Sequence, residues 1–169
     1  MVRLDLALLA AGPVETAAEV PADDPLFEDV DFILAAPVVV SGRLTASGPG
    51  RYYWDARLAT TVATACRRCL ARVDVQVESD LEALFSEDAS LDDPASYLIP
   101  GGARELDLSQ PIREELILAV PEYVLCREDC RGLCSRCGKD LNEGPCGCGS
   151  EPDPRWAALE RLRVTPDTE

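Results

Sequence analysis

Alternating apolar and polar positions recur through the first half of the chain, and this period of two predicts β-strands. Residues 2–10 alternate, residues 31–40 are mostly apolar with a break at Pro37, and residues 51–65 are dense in aromatic and β-branched types. Strand character resumes over residues 73–77. Several strands separated by strong turn signals indicate an antiparallel sheet.

Helical periodicity is confined to a few segments. Residues 12–28, rich in Ala, Pro, Asp and Glu, predict a short helix or a loop. Residues 105–121 predict a short strand that enters a helix, capped by Asp107 or Ser109 and ended by Pro121. The apolar face of this helix is formed by Ile112, Leu116, Ala119 and Val120. A last short helix is predicted after Asp153-Pro154, with an apolar stripe of Trp156, Leu159 and Leu162.

These elements predict an α+β protein, a mostly antiparallel sheet with few helices and a C-terminal cysteine module similar to a zinc ribbon. A length of 169 residues fits one domain with a small appendage. We expect a sheet domain over residues 1–125, a cysteine-rich metal-binding module with its closing helix over 126–163, and a disordered tail over 164–169.

The charge and the lack of histidine restrict the function. The net charge is −15, so the chain repels bulk phosphate, and a nucleic-acid contact would need a local basic patch or a protein partner. Histidine is absent from the sequence, which removes the commonest general base and the usual Ser-His and Cys-His nucleophile pairs. Few enzyme classes are easy to build without histidine, and we expect no small-molecule substrate. Acidic residues between 78 and 93 predict a solvated strand face followed by an acidic loop.

We expect a cytoplasmic protein that makes no membrane contact. Asp5 interrupts the apolar character of the N-terminus, which argues against an export signal. The longest uncharged run, residues 32–42, is too short to span a membrane. In a reducing cytoplasm, an even cysteine count favours metal over disulfides.

Six of the eight cysteines lie between Cys126 and Cys148, and their spacing predicts a metal site. A Cys-x-x-Cys pair followed by glycine can turn sharply around one ion, and four thiolates suit tetrahedral zinc. We assign one structural zinc to Cys134, Cys137, Cys146 and Cys148. The remaining Cys126, Cys130, Cys66 and Cys69 form a second possible site. Alternatively, Cys126, Cys130, Cys134 and Cys137 share one ion.

Cys66-Arg-Arg-Cys69 lies between two predicted strands, the position of a knuckle at the end of a hairpin. Its chief alternative to metal binding is a redox dithiol, because neighbouring arginines lower a thiol pKa. No βαβ pattern surrounds the motif, which argues against that alternative. One or two zinc ions are expected, and iron also accepts four thiolates.

The chain resembles the YceD family of large ribosomal RNA subunit accumulation proteins over most of residues 30–163. The matching segments are Cys66-Arg-Arg-Cys69-Leu70, Ile112 to Pro121, Cys126-x3-Cys130-Arg-Gly-Leu-Cys134-x2-Cys137-Gly138, Asp140-Leu-Asn142, Cys146-Gly-Cys148 and Asp153-Pro-Arg-Trp156-Ala-Ala-Leu159. The resemblance implies a bacterial, cytoplasmic, non-enzymatic factor for normal accumulation of large-subunit (23S) ribosomal RNA. It supplies no catalytic residue.

Basic residues surround the cysteines of this otherwise acidic chain, and two roles are open for them. They are Arg67, Arg68, Arg72, Arg127, Arg131, Arg136 and Lys139. They form a possible RNA footprint, or they neutralise the thiolates around a metal. The partner would be large-subunit rRNA or a ribosome-assembly protein. Two further functions are a thiol redox protein using Cys66 and Cys69, and an acidic adaptor that docks on a basic protein.

Overall fold

The computed structural model describes residues 2–89, 96–149 and 155. The strands are β1 (Arg3–Asp5), β2 (Val14–Val20), β3 (Ile33–Leu34), β4 (Val38–Gly48), β5 (Arg51–Ala65), β6 (Arg72–Ser86), β7 (Ser96–Leu98) and β8 (Glu105–Asp107). One α-helix, α1 (Ser109–Ala119), follows β8 among the described residues, and two 3-10 helices cover Leu6–Ala11 and Pro25–Phe27. No helix in these ranges is long and apolar enough to cross a membrane.

A six-stranded sheet dominates the fold, which confirms the predicted mostly antiparallel α+β class. Its strands lie in the order β2-β4-β5-β6-β7, and β3 pairs with β5 beyond the end of β4. Only the β6–β7 pair of this sheet is parallel in the described chain. β1 and β8 form a separate two-stranded antiparallel sheet.

The β5–β6 hairpin is the central element of the sheet. Its two strands have 15 residues each and pair without interruption from Arg51↔Ser86 to Ala65↔Arg72. Alternate residues of β5 are buried, among them Trp54, Leu58 and Val62. β-branched and aromatic side chains fit such a half-buried surface, which explains why the sequence pattern located both strands.

The apolar core lies on one face of the sheet, beneath α1 and the β1–β8 pair. Ile112 and Leu116 of α1 and Leu106 of β8 are fully buried there beside Phe85 of β6. α1 forms where it was predicted and ends before Pro121, with the Val120 N–H donating to the Leu116 carbonyl at 3.2 Å. The predicted cap was wrong, since the N-cap residue is Leu108, which makes no side-chain capping bond, although the Asp107 carboxylate accepts from the Ser109 N–H at 2.9 Å.

The other face of the sheet is acidic and exposed. Glu78, Asp80 and Glu82 alternate with buried residues along β6 and point to solvent. Arg57 of β5 lies 3.6 Å from Glu78 and 3.5 Å from Asp80. The solvated strand face expected from the sequence is therefore present.

Two predictions in the N-terminal region were wrong. The strand predicted over residues 2–10 ends at Asp5, where the Asp5 carboxylate accepts from the Ala7 N–H at 2.8 Å and begins a 3-10 helix. The helix or loop predicted over residues 12–28 contains strand β2, because seven consecutive residues pair with β4.

Some predictions lie outside the described residues. They are the acidic loop around Asp92 and Asp93, the last helix with Trp156, Leu159 and Leu162, and the tail over 164–169. The division at residue 125/126 stays a prediction.

Candidate metal centres

The first cysteine pair forms the turn of the β5–β6 hairpin. The Cys66 N–H donates to the Ala71 carbonyl at 2.8 Å, and the Leu70 N–H donates to the Cys66 carbonyl at 2.9 Å. The chain reverses through Leu70, which has a positive φ of 63°. The Arg68 N–H lies 3.4 Å from the Cys66 sulfur, as expected for a knuckle whose amides face a thiolate.

The segment after α1 brings a second cysteine pair to this turn. The Arg67 N–H donates to the Val124 carbonyl at 2.9 Å, and the Leu133 N–H donates to the Arg68 carbonyl at 3.1 Å. Gly132, with φ +73°, allows this approach, since a Cβ there would lie 2.8 Å from the Arg68 carbonyl oxygen. The backbone thus fixes Cys126 and Cys130 beside the hairpin.

We call Cys66, Cys69, Cys126 and Cys130 the inner quartet. Their four sulfurs all lie within 4.8 Å of one another. The Cys66 and Cys130 sulfurs are 3.8 Å apart, and those of Cys69 and Cys126 are 3.6 Å apart. Cys66, Cys69 and Cys130 are buried and Cys126 is exposed. Val73, Leu125 and Leu133 pack against the buried sulfurs.

We call Cys134, Cys137, Cys146 and Cys148 the outer quartet, and their sulfurs also lie within 4.8 Å of one another. The Cys134 N–H donates to the Lys139 carbonyl at 2.8 Å, and the Gly138 N–H donates to the Cys134 carbonyl at 2.9 Å. Gly138 has φ 72°, the left-handed conformation that the sequence predicted at this turn.

The eight cysteines thus divide into the two sets that the sequence analysis assigned. Among the described residues, the alternative set of Cys126, Cys130, Cys134 and Cys137 does not form such a group of neighbouring sulfurs. Four sulfurs at about 2.3 Å from one zinc ion in a tetrahedron lie about 3.8 Å apart. The measured separations in the inner quartet match that value, so its donor set fits a tetrahedral thiophilic ion such as zinc.

Backbone N–H groups favour thiolate formation in both quartets. Hydrogen bonding from the Cys69 N–H lowers the pKa of Cys66 to about 6, although burial acts in the opposite direction. The N–H groups of Cys137 and Arg136 lower the pKa of Cys134 to about 6 in the same way. Cys148 behaves differently, because a hydrogen bond between the Cys148 and Cys137 sulfurs raises the pKa of Cys148 to about 12. Metal binding to such sets releases protons, because the ligands are thiolates.

Asn142 connects the two quartets, and the sequence analysis did not assign it a role. It lies between the two cysteine pairs of the outer quartet, yet its side-chain N–H group lies 3.5 Å from the Cys130 sulfur of the inner quartet. Its carbonyl oxygen accepts from the Arg127 guanidinium at 2.9 Å and from the Arg131 N–H at 2.7 Å. The available signal was the Asp140-x-Asn142 pattern. It forms a local turn in which the Asn142 N–H donates to the Asp140 carboxylate at 2.8 Å.

The predicted basic residues cluster around the quartets, and several of their cationic groups donate within the chain. The Arg67 Nε donates to the Glu122 carbonyl at 2.8 Å, and an Arg68 Nη donates to the Cys130 carbonyl at 2.8 Å. Arg72 pairs with Asp74 at 3.1 Å, and Lys139 donates to the Pro145 carbonyl at 3.0 Å. Arg131 and Arg136 are exposed. These contacts stabilise the turns around the sulfurs, while RNA binding by the same residues stays a prediction.

Comparison with known proteins gives a match over most of this region. The family model described as "Large ribosomal RNA subunit accumulation protein YceD" matches residues 54–163, a range that includes most of the β5–β6 hairpin and all eight cysteines. No solved structure matches the chain.

Individual relatives show the same similarity. An uncharacterized protein of Mycobacterium bovis is 37% identical over 107 residues, which is 61% of this chain and 52% of the relative. The Zea mays protein named "Large ribosomal RNA subunit accumulation protein YCED homolog 1, chloroplastic" is 30% identical over 145 residues, covering 66% and 48% of the two chains. A protein of the same name in Arabidopsis thaliana is 35% identical over 65 residues, 38% of this chain and 20% of the relative. The matches thus span about half the length of the mycobacterial and maize relatives.

Proposed function

The chain belongs to the YceD family of large ribosomal RNA subunit accumulation proteins, and on this basis we propose that it is a non-enzymatic factor that supports accumulation of large-subunit (23S) ribosomal RNA. The observation that supports this most strongly is the family match over residues 54–163. The names of the two plant relatives state the same role. In this proposal the protein acts in the cytoplasm on rRNA synthesis, processing or stability.

The donor sets support a structural role for the metal. Four thiolates complete the coordination of zinc and leave no open position for a water or a substrate, as in structural zinc sites. Zinc in the inner quartet would join the β5–β6 turn to the segment after α1. Zinc in the outer quartet would close the following loop. The two ions would then hold a rigid binding surface.

We propose that this surface binds rRNA or a ribosome-assembly protein. Arg67, Arg68, Arg127 and Arg131 lie around the inner quartet. The guanidinium groups of Arg67 and Arg68 donate to backbone carbonyl oxygens and keep their charge, whereas that of Arg127 pairs with Asp129 at 3.3 Å. A cationic patch of this kind would offset the general acidity of the chain at one place.

A second candidate function is an adaptor that binds a basic protein. The exposed row of Glu78, Asp80 and Glu82 on β6 favours it, because a carboxylate-rich sheet face attracts cationic partners. The redox alternative is disfavoured, because Cys66 is fully buried and a dithiol catalyst needs an accessible attacking sulfur.

The ratio of large- to small-subunit rRNA in cells tests the proposed function. In a bacterium whose own copy of the gene is deleted, we expect a low ratio that the wild-type chain restores. A Cys66→Ser/Cys130→Ser variant should fail to restore it, whereas Gly101→Ala, an exposed turn variant, should succeed. A deletion strain with an unchanged ratio would contradict the proposal.

Crosslinking in cells, followed by sequencing and mass spectrometry, separates the two modes of binding. Direct RNA contact predicts crosslinks to large-subunit rRNA that Arg131→Gln weakens and Arg57→Gln, on the opposite acidic face, does not. The adaptor mode predicts crosslinks to a basic protein that Arg57→Gln leaves intact and substitution of the β6 carboxylates removes.

A further inference from the structure

An open groove of about 730 Å³ lies beside the hairpin turn and borders the inner quartet, since Cys66 is part of its lining. One wall is the loop at 29–32, a second is the turn at 64–70, and the third is the end of α1 with the residues that follow it. Its apolar lining consists of Val30, Phe32, Leu70, Ile117, Val120 and Pro121. The function proposed above gives Arg67 of this lining a part in the cationic patch and assigns no role to the apolar walls.

The apolar walls are incompletely covered by the chain. Leu70 is 67% exposed and Ile117 is 46% exposed. Both are large aliphatic side chains, and burying either one fully would stabilise the protein. Because both side chains are exposed in this groove, the fold does not gain that stabilisation.

Backbone conformation marks the same place. Asp29 (φ 61°) and Leu70 (φ 63°) are the two non-glycine residues with positive φ in the described ranges, and both line this groove from opposite walls. The left-handed conformation is unfavourable for leucine, because its Cβ lies too close to the following carbonyl oxygen. Strained backbone of this kind concentrates at functional sites. The knuckle therefore holds an exposed leucine where glycine would fit at lower cost.

Charge identifies the kind of partner. Asp29, Asp31 and Glu122 line the groove and are exposed, while Arg67 is the basic residue of the lining. The Arg67 Nε donates to the Glu122 carbonyl oxygen at 2.8 Å and the guanidinium keeps its charge, so the rim carries three carboxylates against one cation. A groove with apolar walls and a mainly carboxylate rim repels the phosphates of a nucleic acid and attracts cations.

We propose that this groove docks a short polypeptide segment of a partner protein, apolar along one face and flanked by lysine or arginine. Apolar side chains of the segment would cover Leu70 and Ile117, and its basic residues would meet Asp29, Asp31 and Glu122. Apolar anchors surrounded by complementary charge are the usual composition of such a peptide site.

Binding of a synthetic peptide tests this surface with the full chain. The probe is a fluorescein-labelled amphipathic helix of leucine and lysine, measured by anisotropy. The comparison peptides replace its leucines with serine or its lysines with glutamate. We expect the leucine–lysine peptide to bind, both comparison peptides to bind far more weakly, and binding to fall as salt is raised.

Matched variants place the binding in the groove. Ile117→Ser should weaken binding about tenfold, while Leu118→Ser, which removes a neighbouring side chain that is 80% exposed and outside the lining, should leave it unchanged. Leu70→Gly removes the side chain and suits the backbone, so it should weaken binding with the fold intact. Asp29→Asn/Asp31→Asn should reduce the salt dependence.

Four results would overturn the proposal. One is equal binding by wild type, Ile117→Ser and Leu70→Gly. A second is displacement of the peptide by a single-stranded RNA oligonucleotide that Ile117→Ser no longer binds. A third is a dimer in sedimentation that Ile117→Ser dissociates. The fourth is a change of Trp156 fluorescence on Ile117→Ser without peptide, which would make the chain's own C-terminal segment the occupant.

Discussion

Leu70 adds an exposed apolar side chain to the groove, and its backbone adopts a conformation that is unfavourable for leucine. Its N–H donates to the Cys66 carbonyl at 2.9 Å, and its positive φ turns the chain back so that the Ala71 carbonyl accepts from the Cys66 N–H at 2.8 Å. Its side chain contributes little to the core, since 67% of it is exposed. The sequence gives no sign of this conformation, because glycine, not leucine, is the usual residue at such a position.

Leu70→Gly is expected to be as stable as the wild type or more stable. Leu70→Ala is the control, since it removes the same side chain and keeps the conformational cost. We expect Leu70→Gly to exceed Leu70→Ala by about 1 kcal/mol in the free energy of unfolding of the metal-loaded protein, measured in urea. Equal stability of the two variants would show that the turn relaxes to another conformation.

The cysteines and Asn142 differ in how far the sequence could identify them. Spacing favoured the two quartets but left Cys126, Cys130, Cys134 and Cys137 open as an alternative set, and the positions of the sulfurs decide between them. Asn142 acts across quartets, since its side chain lies 3.5 Å from the Cys130 sulfur and close to Arg127. That contact depends on the packing of one loop on another, which local sequence does not contain.

Asn142→Asp tests this connection. The aspartate keeps the acceptor for Arg127 and the Arg131 N–H. It loses the donor to the Cys130 sulfur and to the Asp140 carboxylate, and it adds a negative charge beside both. We expect the affinity of the inner quartet for zinc to fall about 10- to 100-fold, measured by competition with a chromophoric chelator. Glu143→Gln, at the next exposed position, is the control and should match the wild type. An unchanged affinity would remove Asn142 from the metal site.

At the scale of elements, the periodicity of the sequence predicted the strands and the helix correctly where tertiary packing and intrinsic propensity favour the same structure. β5, β6 and α1 have strong periods and the residue types that favour them, and all three form as predicted. The sequence of β2, Val-Glu-Thr-Ala-Ala-Glu-Val, has helix-favouring residues at most positions. Its seven-residue register with β4 overrides that local preference.

Gly42 shows what the β4–β5 pairing requires. A Cβ at this position would lie 2.4 Å from the Asp55 carbonyl oxygen and 2.4 Å from the Cβ of Ala56. The sequence analysis placed no weight on this glycine, since the close approach of two paired strands is visible only in the folded sheet.

Gly42→Ala should therefore destabilise the protein by about 1–3 kcal/mol, because the strands must separate to admit the methyl group. Gly101→Ala is the matched control, as its new Cβ would meet only the Glu87 carboxylate, at 3.8 Å. Urea unfolding followed by circular dichroism compares the two variants. Equal midpoints for both would contradict the tight packing at Gly42.

At the scale of the whole molecule, the sheet and the cysteine segment are stabilised differently. The main core runs from Val20 to Leu116 beneath the sheet, whereas the buried cluster at the metal centres contains Cys66, Cys69 and Cys130. Residues 126–149 are otherwise largely exposed. The fold of that segment therefore depends on what its cysteines hold.

Chelation should loosen the cysteine segment and leave the sheet folded. We expect trypsin to cut the chelated protein quickly after Arg127, Arg131 or Lys139, while circular dichroism of the sheet is retained. Adding zinc back should restore protection, which controls for damage by the chelator. Equal cleavage with and without metal would show that the segment folds without an ion.

The central claim of this account is that the eight cysteines form two separate metal centres, one of which joins the sheet to the C-terminal segment. Its most direct test is the metal content per chain of the untagged protein, measured by elemental analysis for the wild type, Cys66→Ser and Cys148→Ser. We predict two thiophilic ions, zinc in our proposal, in the wild type and one in each variant. Neither zinc nor iron in the wild type, or one ion per chain that both substitutions remove, would contradict the account.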